Sequence, residues 1–435
     1  MYWEIFLANT DLEVKPKMRL GFFIGNYDAG GSHTRDFIKS LANRNISIDY
    51  FLCNPYGFKG LDTFSFNRDN INVYFFHRRI LTSIYSSSIQ KYIIKFKNII
   101  IYLNQYISIY FLRLLYILKF KNKSMIVRPW VQNKTHDIIN KNSYNCFIGI
   151  ESMGLVYAGM MAQKYNVPYI YHSYELFSNE FPNGKGKQFI REFNLLKRFE
   201  KEYHLQAACT IIQDASRKEC LYENNSIKNV PAYFMPISLM GENIYNRNTY
   251  FHDLFNIDRT KKIILQYGTI FDERYSMEIA KITENLPDDY ILVMHGSSKN
   301  SYIHKMKKII DSKKLFISRQ LVAPEDISKL ISSAYIGLSF YKTDDPNSAL
   351  SNLSSHKLAH YTQCGLPIIS NSSPAINKML DKEKFGLYVD NTSDINQAVN
   401  KIDSNYQSYS AASHRAYSKY YNIDNYINQM IKLFK

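Results

Sequence analysis

The sequence predicts an α/β protein of two Rossmann-like, doubly wound domains that face each other across a cleft. Two observations carry this prediction. From Met18 to the end, strand-like apolar runs alternate with helix-length amphipathic runs, the pattern of parallel sheets. The alternation breaks between Pro236 and Thr260, where Pro236, Gly241 and several Asn and Asp residues interrupt it and leave one series on each side. The 435 residues suit two or three domains at roughly 100 to 200 residues each, and two is the working number. With 46% hydrophobic and 21% charged residues, disorder and collagen are excluded.

In the first series, strands are predicted at Arg19 to Ile24, Ser47 to Leu52, Val73 to Phe76, Cys146 to Ile150, Pro168 to Tyr171 and Thr210 to Gln213. The second series starts with a strand at Ile263 to Tyr267, a helix near Ser276 to Asn285, a strand at Tyr290 to Met294, a helix at Tyr302 to Asp311 and a strand at Leu315 to Ser318. A helix opens at Pro324-Glu325-Asp326, where proline and acids suit a first turn. Strand Ile336 to Phe340, helix Ser355 to Gln363 and strands Pro367 to Ser370 and Leu387 to Val389 complete it. The expected division is an extension over 1–17, a first domain over 18–240, a linker over 241–260 and a second domain over 261–435. The last helices have the option of packing back on the first domain.

The extension contains Glu4, Asp11 and Glu13 and lacks the basic start and apolar stretch of a secretory signal. Five scattered cysteines without a Cys-x-x-Cys pair read as reduced thiols, which suits the cytoplasm. The net charge is +16, and 11 of those charges lie between Asn70 and His136, where no acid occurs. Ile84 to Leu118 mixes Ile, Leu, Tyr and Phe with Lys91, Lys95, Lys97 and Arg113, so a basic amphipathic insert over about 78–134 is predicted to lie on an anionic membrane surface. Each basic residue there contributes about 1 kcal/mol. Its longest charge-free apolar stretch, Lys97 to Arg113, is broken by Asn98, Asn104 and Gln105 and is too short to span. A solvated helix face is the plain alternative. Nucleic acid is not expected, because a phosphate-binding groove has no use for Ile99-Ile100-Ile101-Tyr102-Leu103 beside the lysines.

Four loops carry candidate chemistry. Gly25 to Thr34 follows the first strand and opens a helix; Gly30 and Gly31 let a ligand approach the backbone, and Ser32 suits an N-cap, although a simple tight turn reads equally well. Ser354, Ser355 and Lys357 open a helix before Gly365-Leu366-Pro367, offering two hydroxyls and a cation to a diphosphate, or only a capped helix with a solvated lysine. Gly268-Thr269 and Arg274 form the turn after the first strand of the second series, where Arg274 either reaches a leaving phosphate or pairs with Asp272 or Glu273. His172 ends a strand of the first series and suits an acceptor hydroxyl, a phosphate, or a backbone bond in the core. Glu151 is a weaker candidate beside it, or a cap for the helix from Ser152.

Taken in order, these loops resemble glycosyltransferases with the two-domain GT-B fold, specifically the retaining family-4 type of bacterial surface-polysaccharide transferases. The resemblance runs from about Met18 to the end and is strongest in the second half. Gly30-Gly31 is similar to that family's first loop, His172 stands where those enzymes place a cleft histidine, and Gly268 and Arg274 look like the first loop of the nucleotide domain. Ser354-Ser355-His356-Lys357-Leu358-Ala359-His360-Tyr361 before Gly365-Leu366-Pro367 resembles the donor-binding helix. The family's two glutamates, eight positions apart, are replaced by Asn352 and His360, and a usual basic pair near Gly268 is reduced to Arg274, with Thr269 and Tyr275 beside it. No Asp-x-Asp occurs, so a metal is not expected on the diphosphate and no cofactor is required.

The resemblance implies transfer of a hexose from a nucleotide-sugar with retention, His172, Arg274 and Lys357 doing the catalysis and Gly268, Thr269, Arg274, Ser354, Ser355, Lys357 and His360 binding the donor. Gly30, Gly31, Ser32 and Glu151 fall to the acceptor or phosphate loop. The expected acceptor is a lipid-linked saccharide, with the protein peripheral on the inner face of the plasma membrane. A non-catalytic, transferase-like membrane partner is the alternative that the missing glutamates motivate, and a nucleic-acid-binding module is the third.

Overall fold

Sequence segments such as RLGFFI, CFIGI and YILVMH are apolar on both faces, as strands must be when helices cover both sides of a parallel sheet. The computed structural model describes residues 18–25, 32–53, 66–75, 129–176, 187–323, 326–342, 344, 346–351 and 353–434. The extension 1–17 and most of the basic insert, 78–128, lie outside them, as do Gly30, Gly31 and Asn352.

The N-terminal lobe runs β1 (Arg19–Ile24), α1 (Ser32–Ala42), β2 (Ser47–Leu52), β3 (Ile71–Phe75), α2 (Pro129–Ile139), β4 (Cys146–Ile150), α3 (Glu151–Tyr165), β5 (Tyr169–His172), α4 (Lys187–His204), β6 (Cys209–Ile212), α5 (Ala215–Asn225) and β7 (Ala232–Phe234). The C-terminal lobe runs α6 (Tyr250–Phe255), β8 (Lys262–Tyr267), α7 (Ser276–Lys281), β9 (Tyr290–His295), α8 (Asn300–Ile309), β10 (Leu315–Ser318), α9 (Ile327–Ser332), β11 (Ile336–Ser339), α10 (Pro346–Ala349), α11 (His356–Gln363), β12 (Ile368–Asn371), α12 (Pro374–Glu383), β13 (Gly386–Val389), α13 (Ile395–Asp403) and α14 (Tyr406–Ala416). A last helix, α15 (Asp424–Met430), follows.

The strand orders are β3-β2-β1-β4-β5-β6-β7 and β10-β9-β8-β11-β12-β13, with parallel pairing throughout. Pleating sends Leu20, Phe22 and Ile24 of β1 into one core and Phe23 into the core on the other face. The second sheet has the same two-faced arrangement.

The last helix does not stay with its own lobe. Ile423, Ile427, Met430 and Phe434 are buried in the N-terminal core, and Arg44 of the loop after α1 pairs with Asp424 at 3.0 Å. The chain therefore crosses between lobes twice, side by side: Leu239 N–H donates to Tyr421 O at 2.8 Å and Ile423 N–H to Leu239 O at 3.0 Å. Among the described residues, no helix is long and apolar enough to cross a membrane.

Several elements differ from the sequence reading. Residues 241–260 are not a bare linker, because they contain α6, whose Phe251 is fully buried with Leu330 and Tyr361 in the C-terminal core. Strand β7 was not anticipated; three residues are too few for a period to register. The helix read over Ser276 to Asn285 is α-helical only to Lys281 and tightens to a 3-10 turn over Ile282–Glu284. Replacing Phe251 with Ala should cost about 3 to 5 kcal/mol, seen as a lower urea midpoint by circular dichroism, whereas a linker residue would leave it unchanged.

Candidate active site

The strand order reverses between β1 and β4 and again between β8 and β11. Open parallel sheets bind ligands beyond the carboxyl ends of the strands at such points. In the C-terminal lobe this brings the turn after β8 beside the residues after β11.

That turn is shaped by two glycines with left-handed backbone, Gly268 at φ 109° and Gly296 at φ 149°. A Cβ on Gly296 would lie 1.5 Å from the Gly268 carbonyl oxygen, and one on Gly268 would lie 3.2 Å from Lys357 Cε. The lysine stem thus rests on bare backbone. Gln266 Nε2 donates to Arg274 O at 3.0 Å and to Ser276 Oγ at 2.9 Å, while Lys342 N–H donates to Glu273 O at 3.0 Å, fixing the rest of the turn.

Helix α11 begins where Ser355 Oγ accepts Lys357 N–H at 3.3 Å; the same hydroxyl is hydrogen-bonded to Tyr341 OH. Lys357 is only 6% exposed, and its Nζ has no hydrogen-bond partner among the described residues. Burial, with help from the Arg274 charge, lowers its pKa to about 7. Arg274 Cζ lies 4.2 Å and Lys357 Nζ 4.6 Å from the Tyr341 ring centre. Among the described residues neither cation has a carboxylate partner. Two like charges sharing one ring, with one of them buried, form a receptor for an anion with at least two acceptor oxygens.

The N-terminal lobe supplies the facing wall. His33, in the first turn of α1, meets His356 of the other lobe at 4.2 Å between ring centres and Tyr174 at 4.1 Å. His172 is fully buried behind Tyr174, 4.2 Å away, with Phe37 at 5.3 Å on another side. Neither His172 ring nitrogen has a partner among the described residues, and burial lowers its pKa to about 3. The imidazole that touches the C-terminal lobe is therefore His33, not His172.

Glu151 does not cap α3. It is the first residue of that helix at φ 59°, and its carboxylate accepts Tyr174 N–H at 3.1 Å and Glu175 N–H at 3.0 Å. Burial and the neighbouring Glu175 push its pKa well up. It holds the loop that carries Tyr174. The same loop is locked to α10: Arg217, fully buried, donates to Tyr174 O at 2.6 Å, Asn347 Oδ1 at 2.9 Å and Leu350 O at 3.1 Å, and Asn347 Oδ1 also accepts Leu176 N–H at 3.0 Å.

Of the residues singled out in the sequence, Gly268, Arg274, Ser355 and Lys357 are brought together. Thr269 is exposed, and Ser354 precedes the cap. His360 sits a turn further along α11, 6.3 Å from the Tyr267 ring and 6.4 Å from His356, with both nitrogens unpartnered among the described residues and its pKa lowered to about 3 by burial. It is a neutral imidazole at the position where the resemblance implies a carboxylate. Helix α1 starts at Ser32, whose side chain is outside the description, as are Gly30 and Gly31. Sequence reasoning missed Tyr341, His33 and the Arg217–Asn347 lock. The signal for Tyr341 was its place directly after a predicted strand, but only strand order makes that the strand beside β8.

Residues 277–432 match the family model of the glucosyltransferase 3-like C-terminal domain. Over 175 residues the chain is 25% identical to chitobiosyldiphosphodolichol beta-mannosyltransferase of Candida albicans, a stretch covering 39% of this chain and 37% of that relative. Sucrose-phosphate synthase from Thermosynechococcus elongatus superposes with a TM-score of 0.64 at 12% identity, over 96% of this chain and 98% of its own. Anabaena HepE in complex with UDP-glucose gives 0.64 at 10% identity, over 95% and 98%. The fold is GT-B, that of two doubly wound lobes with a cleft between them.

The lysine provides a pH test. An anion stabilises its charged form, so binding above the free-state pKa of about 7 must draw in a proton. Pyrophosphate binding followed by calorimetry at about pH 8 in two buffers of different ionisation enthalpy should show proton uptake, and affinity should fall as pH rises through that value. Replacing Lys357 with Met should remove the uptake.

Proposed function

We propose that the protein is a hexosyltransferase-type glycosyltransferase that moves a sugar from a nucleotide-sugar held by the C-terminal lobe to an acceptor held by the N-terminal lobe. The observation that carries this is the buried Lys357 amine, without a hydrogen-bond partner among the described residues, beside Arg274 at the Tyr341 ring. As the bond between the sugar carbon and the diphosphate oxygen breaks and a bond to the acceptor oxygen forms, negative charge gathers on the diphosphate. Lys357 and Arg274 are cations already in place for that charge, and burial limits the screening of Lys357 by water. The ammonium form of Lys357 is restored as the diphosphate enters, and the two side chains take the part that a divalent ion plays elsewhere.

The fold and the family match over the C-terminal lobe support this reading. A structure of the same fold holds UDP-glucose, which makes that the first donor to test. The Candida relative's name specifies a chitobiosyl group on diphosphodolichol, which supports a lipid-linked saccharide as acceptor. The 11 positive charges of the acid-free window suit an anionic bilayer at the inner membrane face. Glu151 positions the acceptor-side loop, and His33, which meets His356 across the lobes, takes the place of the fully buried His172 as the candidate for meeting the acceptor. Retention at the sugar carbon is the stereochemistry that the family resemblance implies.

Lys357→Ala should abolish transfer while leaving the circular dichroism spectrum unchanged, and Arg274→Ala should slow it about 10²- to 10³-fold. Normal turnover by folded Lys357→Ala protein would remove the donor-site assignment. Proton NMR of the product's anomeric position reads the stereochemistry.

One observation favours a second reading, a non-catalytic partner of an active transferase. His360 is neutral and without hydrogen-bond partners among the described residues, where the family's ribose-binding carboxylate is expected. On that reading no nucleotide-sugar binds in calorimetry, although vesicles containing anionic lipid still retain the protein.

A further inference from the structure

A cavity of about 780 Å³ opens on the C-terminal lobe away from the cleft, between the loop around Tyr245 and α14. Its floor includes Cys364, which ends α11 just before β12, and its wall includes Arg247, which donates to Ala334 O just before β11. These positions are the amino ends of the strands. Arg274 and Lys357 serve the opposite, carboxyl edge, so the two sites are separate.

The lining is of one sign. Arg247, Arg415 and Lys419 contribute to it, and no carboxylate does. Lys419 is neutralised by Glu383 at 2.7 Å, a residue outside the lining. Arg247 spends two of its five N–H donors, on Ala334 O and on Tyr406 OH. Arg415 is exposed and has no partner among the described residues.

The cavity is also built rather than accidental. Tyr245 is 72% exposed yet held 4.3 Å from the His414 ring, whose Nδ1 lies 3.2 Å from Asn243 Oδ1. Gly365 has left-handed backbone at φ 63°, and a Cβ there would be 2.2 Å from His414 Nε2. The glycine of the Gly-Leu-Pro run thus makes room for this histidine, not for the donor. Tyr406 is stacked on Tyr335 at 3.9 Å. An exposed aromatic face, fixed amide and hydroxyl groups and a free guanidinium are what a ring bearing hydroxyls and an anion requires.

We infer that this cavity binds an anionic saccharide, a sugar ring or chain segment carrying a carboxylate or phosphate, at a site independent of the cleft. Arg415 takes the anion, Tyr245 lies against the ring, and Gln407 is available to its hydroxyls, together with the one Asn243 Nδ2 hydrogen not given to Ser418 Oγ. The size accommodates more than one sugar unit, and the exposed rim lets a longer chain run past it.

The test uses full-length protein carrying Lys357→Ala, so that the cleft does not contribute, with oligogalacturonate and glucose 1-phosphate as separate calorimetric titrants. At least one should bind saturably, and the one that does identifies uronate or phosphate as the anion. Arg415→Glu and Tyr245→Ala should each weaken it at least tenfold, whereas Lys308→Glu, the same charge change on an exposed face elsewhere, should not. Absence of binding by both titrants, equal loss with Lys308→Glu, or retention in both cavity variants would overturn the proposal. So would inorganic phosphate binding as tightly as the saccharide, since the ring would then add nothing. None of these results bears on transfer in the cleft.

Discussion

A primary amine removed from water, without a hydrogen-bond partner among the described residues, is the constraint on the cleft face of the C-terminal lobe. Lys357 is buried against a glycine, faces a tyrosine ring and has a second cation nearby. Such a group either gives up its proton or acquires an anion. Its pKa of about 7 leaves it poised between the two. Gly268 removes the side chain that would displace its stem, Gly296 lets the neighbouring loop touch that glycine, and Gln266 ties the Arg274 end of the turn to Ser276.

The facing lobe is held by contacts of a different character. Arg217 is fully buried, yet its donors go mainly to carbonyl oxygens and an amide rather than to a carboxylate. Removing it would strand several buried acceptors at once. Because Asn347 serves both Arg217 and the loop held by Glu151, the short segment after β11 couples backbone of the N-terminal lobe to the start of α11. Helix α15, buried in the N-terminal core, closes the connection from the other end of the chain.

Helix α11 links the cleft to the distal cavity. Lys357 stands in its first turn and Cys364 caps its end, about 10 Å further along the axis. One short sequence run thus supplies the cleft cation and, through Gly365, the space that fixes His414. The Gly-Leu-Pro signature has a structural meaning at the far end from the lysine it accompanies.

Most strands were legible in the sequence, because a strand buried on both faces leaves a continuous apolar run that no other short element requires. The cap and cation at Ser355 and Lys357 were legible for a similar reason: helix starts follow local rules over a few residues. Tyr341, His33, Arg217 and Asn347 were not, since nothing in their neighbouring residues marks them. Their roles depend on β8 lying beside β11, on β1 lying beside β4, and on two lobes meeting. Local composition determines which segments become strands and helices and where a charge sits on them. Whether that charge is solvated or buried without a partner was decided only by tertiary packing, because desolvation depends on what distant parts of the chain bring to it.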